Sequence, residues 1–250
     1  NIATPGQAGD CLNIYHGRRA IVDHCSFTGS CDETVDVICT SELTFQWCTI
    51  EEPALWGQGG HQHDEGNHNL AFISSYGAEG VSFHHNLVAH SAGRNPLITH
   101  GPAEVRNNVV YNFGIGFTGG GRNRGGDFNI IGNYFRRGPS RRNVAPFYGM
   151  GGAQRFYLRD NIIDLGTTTK TINDPWRELP RLPGVSVPRG GERLRRPITV
   201  PFIGKTHTAQ EAYRLVLARA GAWPRDATTR RIVHETETRT GRFGLSGPYE

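Results

Sequence analysis

Apolar residues recur along this chain at a spacing that fits neither an amphipathic helix nor a simple alternating strand. Six segments share the order apolar, any, any, small-polar, any, apolar: VDHCSF (22–27), FQWCTI (45–50), FHHNLV (83–88), VRNNVV (105–110), IIGNYF (130–135) and LRDNII (158–163). Their small-polar position is Cys25, Cys48, Asn86, Asn108, Asn133 and Asn161, with successive separations of 23, 38, 22, 25 and 28 residues. Such a period predicts a solenoid in which each turn of roughly two dozen residues adds strands to continuous parallel sheets. The separation of 38 places one insertion between Cys48 and Asn86. Stacked asparagine amides can hydrogen-bond along the solenoid axis, and the two cysteines would occupy the first rungs of that ladder.

A second register precedes the first. Asn13 lies 12 residues before Cys25, and Asp36 lies 12 residues before Cys48. Two registers locked at one spacing predict an all-β chain folded as a parallel β-helix. The stretch 81–101, VSFHHNLVAHSAGRNPLITHG, joins a repeating half to a half that does not recur. Asn86 marks the bend in the first half. In the second, Arg94 sits in a loop between Gly93 and Pro96, which makes this loop the first place to look for chemistry.

The repeat stops after Leu165. Residues 166–204 are rich in Pro, Gly and Arg and are expected to run as irregular chain along the solenoid. Thr208-Ala209-Gln210-Glu211 has the form of a capping box, predicting a helix to about Ala220 that stops at Gly221. Asp226 caps a second expected helix, to about Glu237. The chain thus divides into a solenoid over 1–165 and an extension over 166–250 whose helices pack on it. Residues 1–8 supply neither a complete coil nor a cap, so further coils are expected N-terminal to Asn1.

Composition agrees with many short strands. Of 250 residues 33 are Gly and 14 Pro, and hydrophobic residues make up 36%. No apolar run approaches the ~18 residues of a membrane span. The net charge of +4 hides an asymmetry, −3 over residues 1–165 and +7 over 166–250. A basic extension suits either a polyanionic partner or plain solvated surface. The five cysteines lie within the first 48 residues and form no C-x-x-C pair, so neither a zinc ribbon nor a redox motif is indicated. Small buried residues are the expected role for most of them.

Four carboxylates cluster early: Asp10, Asp32, Glu33 and Asp36. The two-register alignment puts Asp10 and Asp36 in neighbouring turns. Oxygen ligands gathered in this way suit Ca²⁺ better than a transition metal, and turn carboxylates at the surface are the other reading.

Taken in order, GDCLNIY, IVDHCSF, CDETVDV, VSFHHNLVAH, GRNPL and VRNNVVYN resemble the core of the pectate lyase superfamily, over about residues 9–165. The segment Ala-Tyr-x-x-Val-Leu-Ala (212–218) is similar to the tail of bacterial members. The resemblance implies a right-handed single-stranded parallel β-helix that cleaves polygalacturonate by β-elimination. By position it implies calcium ligands at Asp10, Asp32 and Asp36 and the catalytic arginine at Arg94, eight residues after Asn86. Arg94 would take the proton beside the uronate carboxylate, or would stabilise the resulting carbanion, since arginine generally stays protonated.

Three positions depart from the family pattern. Ala8 stands where a second aspartate is frequent, Thr99 stands where a substrate-binding arginine is expected, and residues 52–75 contain no lysine. The insertion 57–69, GQGGHQHDEGNHN, offers His61, His63, Asp64 and His68 as replacements that would bind glycan or metal, or else forms a polar surface loop. His100, Arg122 and Arg124 complete the candidate substrate-binding set, and Arg141 and Arg142 are loop arginines that could hold further uronates. His24 and His85 read as structural groups within strands. Two other functions compete: a non-catalytic glycan-binding β-helix, and a β-helical glycoside hydrolase using paired carboxylates. The expected partner is an acidic polysaccharide, with no nucleic acid and no membrane, and the chain is expected to be a monomer. Such polymers lie outside cells, so the expected location is extracellular or periplasmic.

Overall fold

The computed structural model describes residues 9–30, 32–54, 68–120, 125–149, 153–201 and 204–243. Short strands stack into three sheets, and in each sheet the strand order follows the chain. The first sheet runs Leu12–Tyr15, Glu33–Ile38, Leu70–Ser75, Leu97–Ile98, Ile115–Gly119 and Ala145–Gly149. The second begins Arg18–Asp23, Ser41–Gln46, Val81–His84 and ends Gln154–Arg159, Glu192–Arg193. The third climbs from Ser26–Thr28 to Asn161–Asp164. This is the expected all-β parallel β-helix, with helices at its C-terminal end. Among the described residues no helix is long and apolar enough to cross a membrane.

The six repeat segments lie in register. Val22, Phe45, Phe83, Val105, Ile130 and Leu158 pair in succession across the second sheet. Phe27, Ile50, Val88, Val110, Phe135 and Ile163 do the same across the third. Both rows enter one hydrophobic core, where Phe45 stacks on Phe83 with ring centroids 5.5 Å apart.

Between these sheets the chain bends through two residues. The first is His24, Trp47, His85, Asn107, Gly132 or Asp160, each at a φ between 51° and 61°. For a non-glycine this left-handed conformation costs roughly 1–2 kcal/mol. The second is the ladder residue. The Nδ2 groups of Asn86, Asn108 and Asn133 each donate to the Oδ1 of the next asparagine, at 3.1, 3.0 and 2.9 Å. They also donate to Phe45, Phe83 and Val105 carbonyls of the preceding coil, each at 2.9 Å. Backbone N–H groups of Cys48, Asn86 and Asn108 donate to the next Oδ1 at 2.9 Å. Below them Cys48 Sγ accepts the Cys25 N–H at 3.4 Å, so the thiols do take the first two rungs.

His24 and His85 therefore sit at the bend rather than within strands, because the second-sheet strands end one residue earlier, at Asp23 and His84. Trp47 stacks on His85 at 4.4 Å, and His85 Nε2 lies 3.0 Å from His207 Nδ1. Burial, helped by His84 and His207, lowers the His85 pKa to about 3, so its ring is a neutral structural group.

The C-terminal helices are α1 (Pro175–Glu178), α2 (Ala209–Arg219) and α3 (Ala227–Thr238). The capping box of α2 is formed: Thr208 Oγ1 accepts the Glu211 N–H at 3.2 Å, and Glu211 Oε2 accepts the Thr208 N–H at 3.0 Å. Asp226 caps α3 through the Thr229 N–H at 2.8 Å. Val216, Leu217, Ala220 and Ile232 cover the outward apolar row Leu87, Ala89, Val109 and Tyr111 of the third sheet. Arg231 clamps Glu52 at 2.6 and 2.7 Å and fixes α3 to the solenoid. The segment after Leu165 is less irregular than expected. Thr169–Ile172 folds back antiparallel on Asn161–Asp164, Val185 bridges to Val144, and Glu192–Arg193 adds a parallel strand. This partial coil has no ladder asparagine, which hid it from the repeat.

Replacing Asn108 by Ala strands the Asn86 N–H and the Phe83 carbonyl in the core. The expected loss is about 2–4 kcal/mol, seen in urea as a lower midpoint with an unchanged slope. A loss below about 0.5 kcal/mol contradicts the ladder's role.

Candidate active site

Three segments distant in sequence meet where the chain enters the first sheet. Asp10 precedes Leu12–Tyr15, Asp32 precedes Glu33–Ile38, and the loop with Arg94 precedes Leu97–Ile98. Register brings them together: Asn13 pairs with Asp36, Glu33 with Leu70, and Leu70 bridges to Gly93. The loop is held by the buried Asn95, whose Nδ2 donates to the Ser91 and Ile115 carbonyls at 3.1 and 2.7 Å. The Arg94 carbonyl accepts the Phe72 N–H at 2.9 Å, and Arg94 itself takes a φ of 57°.

The side chains form a dense acidic group around one arginine. Arg94 Nη1 pairs with Glu33 Oε1, and Asp32 and Asp10 also attract the guanidinium. Burial pulls the Arg94 pKa below the usual arginine value, and those two carboxylates oppose the shift. Burial, then Asp32 and Asp36, raise the Asp10 pKa to about 7, against a hydrogen bond from Asn13 and the charge of Arg94. Asp36 is raised as well, by burial and then by Asp32. Asp32 Oδ1 lies 2.7 Å from His68 Nδ1.

Two buried oxygens, Asp10 Oδ1 and Asp36 Oδ1, have no hydrogen-bond partner among the described residues. A buried carboxylate oxygen without a donor is costly, and a divalent cation with hard-oxygen preference satisfies it. Asp10, Asp36 and Asp32 thus fit calcium by donor type. Glu33 is already neutralised by Arg94.

The other candidate residues do not join this group. Thr99 Oγ1 donates to the Ser74 carbonyl at 3.1 Å and lies 2.8 Å from His100 Nδ1, which accepts the Gly77 N–H at 3.3 Å, both residues beyond the exit of Leu97–Ile98. His61, His63, Asp64, Arg122, Arg124 and Ala8 lie outside the described residues. The pairings of Glu33 with Arg94 and of His68 with Asp32 escape the sequence reading. The signal for the first is the register, which sets Glu33, Leu70 and Gly93 in one row.

A parallel β-helix with a carboxylate cluster around a half-buried arginine on its first sheet is the class that this fold and site define. Among known proteins, the chain is 36% identical over 167 residues to "Probable pectate lyase C" of Aspergillus fumigatus, covering 64% of this chain and 36% of that one. "Probable pectate lyase C" of Neosartorya fischeri is 38% identical over 143 residues, covering 54% and 30%. A solved thermostable pectate lyase, PL 47, matches with a TM-score of 0.58 and 13% identity over 86% of this chain and 64% of its own, a likeness of fold. No family model matches. The chain spans about a third of the length of the curated relatives it matches. The resemblance to the pectate lyase superfamily is borne out in sequence and in fold.

With the Asp10 pKa raised to about 7, protons would compete there with any divalent cation that the site binds. A raised carboxylate also means that the metal-free protein loses stability as pH rises through about 7. Calcium affinity by titration calorimetry is expected to rise about tenfold between about pH 6 and 8, and Asp10→Asn is expected to flatten that rise. A flat profile in the unsubstituted protein contradicts the assignment.

Proposed function

We propose that this chain is the core of a polysaccharide lyase that cleaves pectate or a related polyuronate by calcium-assisted β-elimination. The observation that carries the reading is the pair of orphaned oxygens on Asp10 and Asp36 beside the half-buried Arg94. Calcium bound there would neutralise a uronate carboxylate and acidify the adjacent C–H. Asp10, Asp32 and Asp36 would hold that cation, and Arg94 beside them would act on the proton next to the uronate carboxylate. The guanidinium either takes the proton or holds the carbanion charge. Burial, which lowers its pKa, favours the first role, and the Glu33 carboxylate favours the second. A glycan-binding protein without cleavage is the second reading, favoured by Thr99, which stands where an arginine is expected and is tied to backbone.

The test is ultraviolet absorbance of polygalacturonate, with calcium and with a chelator. The expected outcome is an increase that needs calcium and falls about 10²-fold or more in Arg94→Ala. Binding of the polymer without any rise sinks the lyase reading and leaves the binding one.

A further inference from the structure

A cleft of about 510 Å³ opens at Gly93, the residue before Arg94, and extends along the later coils. It passes Ile115 and Arg141 to Tyr148, Val187 and Arg189. No Asp or Glu is among its described lining residues, whereas two arginines are. Both guanidinium groups are held on aromatic faces, Arg189 6.0 Å from the centroid of Tyr148 and Arg141 5.6 Å from that of Phe243. Cation–π seating fixes the planar fork while leaving its N–H donors for an anion. A second cleft, about 670 Å³ beside His207, differs in this respect. Its arginines are already taken, Arg106 by Glu104 and Thr206 and Arg159 by Asp160.

The fold aligns the smaller cleft with the candidate site. Tyr148 stands in one outward row with Thr118, Leu97, Ile73 and Asp36. From Gly93 the coils of Ile115–Gly119 and Ala145–Gly149 lead to the partial coil at 185–189, three steps in all. At the usual strand spacing this is about 14 Å, the reach of roughly three pyranose rings. Arg189 is delivered by the C-terminal segment. The Ser186 N–H donates to the Val144 carbonyl at 2.8 Å, and Gly149 admits the Arg189 carbonyl where a Cβ would come within 2.3 Å of it.

We propose that Arg189, seated on Tyr148 and assisted by Arg141, forms a uronate-carboxylate subsite supplied by the C-terminal segment, about three sugars from Arg94. The substrate class rests on the lyase reading. The groove then has two ways of holding carboxylates, a cation site at one end and arginine forks at the other. Chain length becomes the selected property, because only a longer oligomer spans both.

The experiment measures calorimetric affinity for saturated oligogalacturonides from dimer to hexamer, with calcium, in an Arg94→Lys background that suppresses cleavage. Affinity is expected to rise once the chain reaches the cleft. Arg189→Ala should weaken hexamer binding about five- to tenfold, leave the dimer unchanged, and be partly restored by Arg189→Lys. Hexamer affinity unmoved by Arg189→Ala, an absence of any length gain, or no binding at all overturns the subsite. Absorbance on the polymer, read with native Arg94, separates the two claims. Length-dependent binding without cleavage sinks the lyase chemistry and leaves the subsite standing, and cleavage with hexamer binding indifferent to Arg189 does the reverse.

Discussion

Everything in this molecule depends on the hydrogen-bonded ladder at the bend between the second and third sheets. Each coil turns there through a left-handed residue, and the next backbone N–H would be buried without a strand partner. The asparagine of the following coil supplies the acceptor and uses its own two donors on the coils before and after. Because side chains alternate along a strand, a slip of one residue would turn a core row outward. The ladder makes such a slip costly once per coil. Its first rungs are thiols, and the N–H to sulfur contact of 3.4 Å is longer than the 2.9 Å of the amide rungs.

Register fixed at one bend has consequences on all three faces. The third sheet presents apolar side chains outward, and α2 and α3 cover them. The second is tied to the C-terminal extension at two points, where the Ile198 N–H donates to Asn129 and the His207 N–H to Asn107. The acidic cluster and the arginine-lined cleft lie along the entry edge of the first sheet. On this edge the carboxylates of two coils are pressed together with too few donors, while Arg94 and Glu33 neutralise each other. An arrangement of this kind costs stability on its own and is rational as a cation site.

Much of this was legible in the residues. The repeat positions match the observed pairing because one row of apolar residues and one ladder position must recur in every coil, whatever the loops do. The helix caps at Thr208 and Asp226 were legible for a similarly local reason. What escaped depends on contacts between coils. The pairing of Glu33 with Arg94 spans 61 positions and an insertion of unequal length, and His68 emerges from that insertion to meet Asp32. The strand at Glu192–Arg193 joins the solenoid without a ladder residue, so no periodicity announces that its neighbour Arg189 reaches the groove.

The most direct measurement of the central claim is the thermal midpoint of the unsubstituted protein titrated with calcium at about pH 8, beside Asp36→Asn. If Asp10, Asp32 and Asp36 form a cation site, the midpoint climbs with the logarithm of calcium concentration above the dissociation constant, and the variant loses that climb. A midpoint indifferent to calcium in the unsubstituted protein contradicts the account.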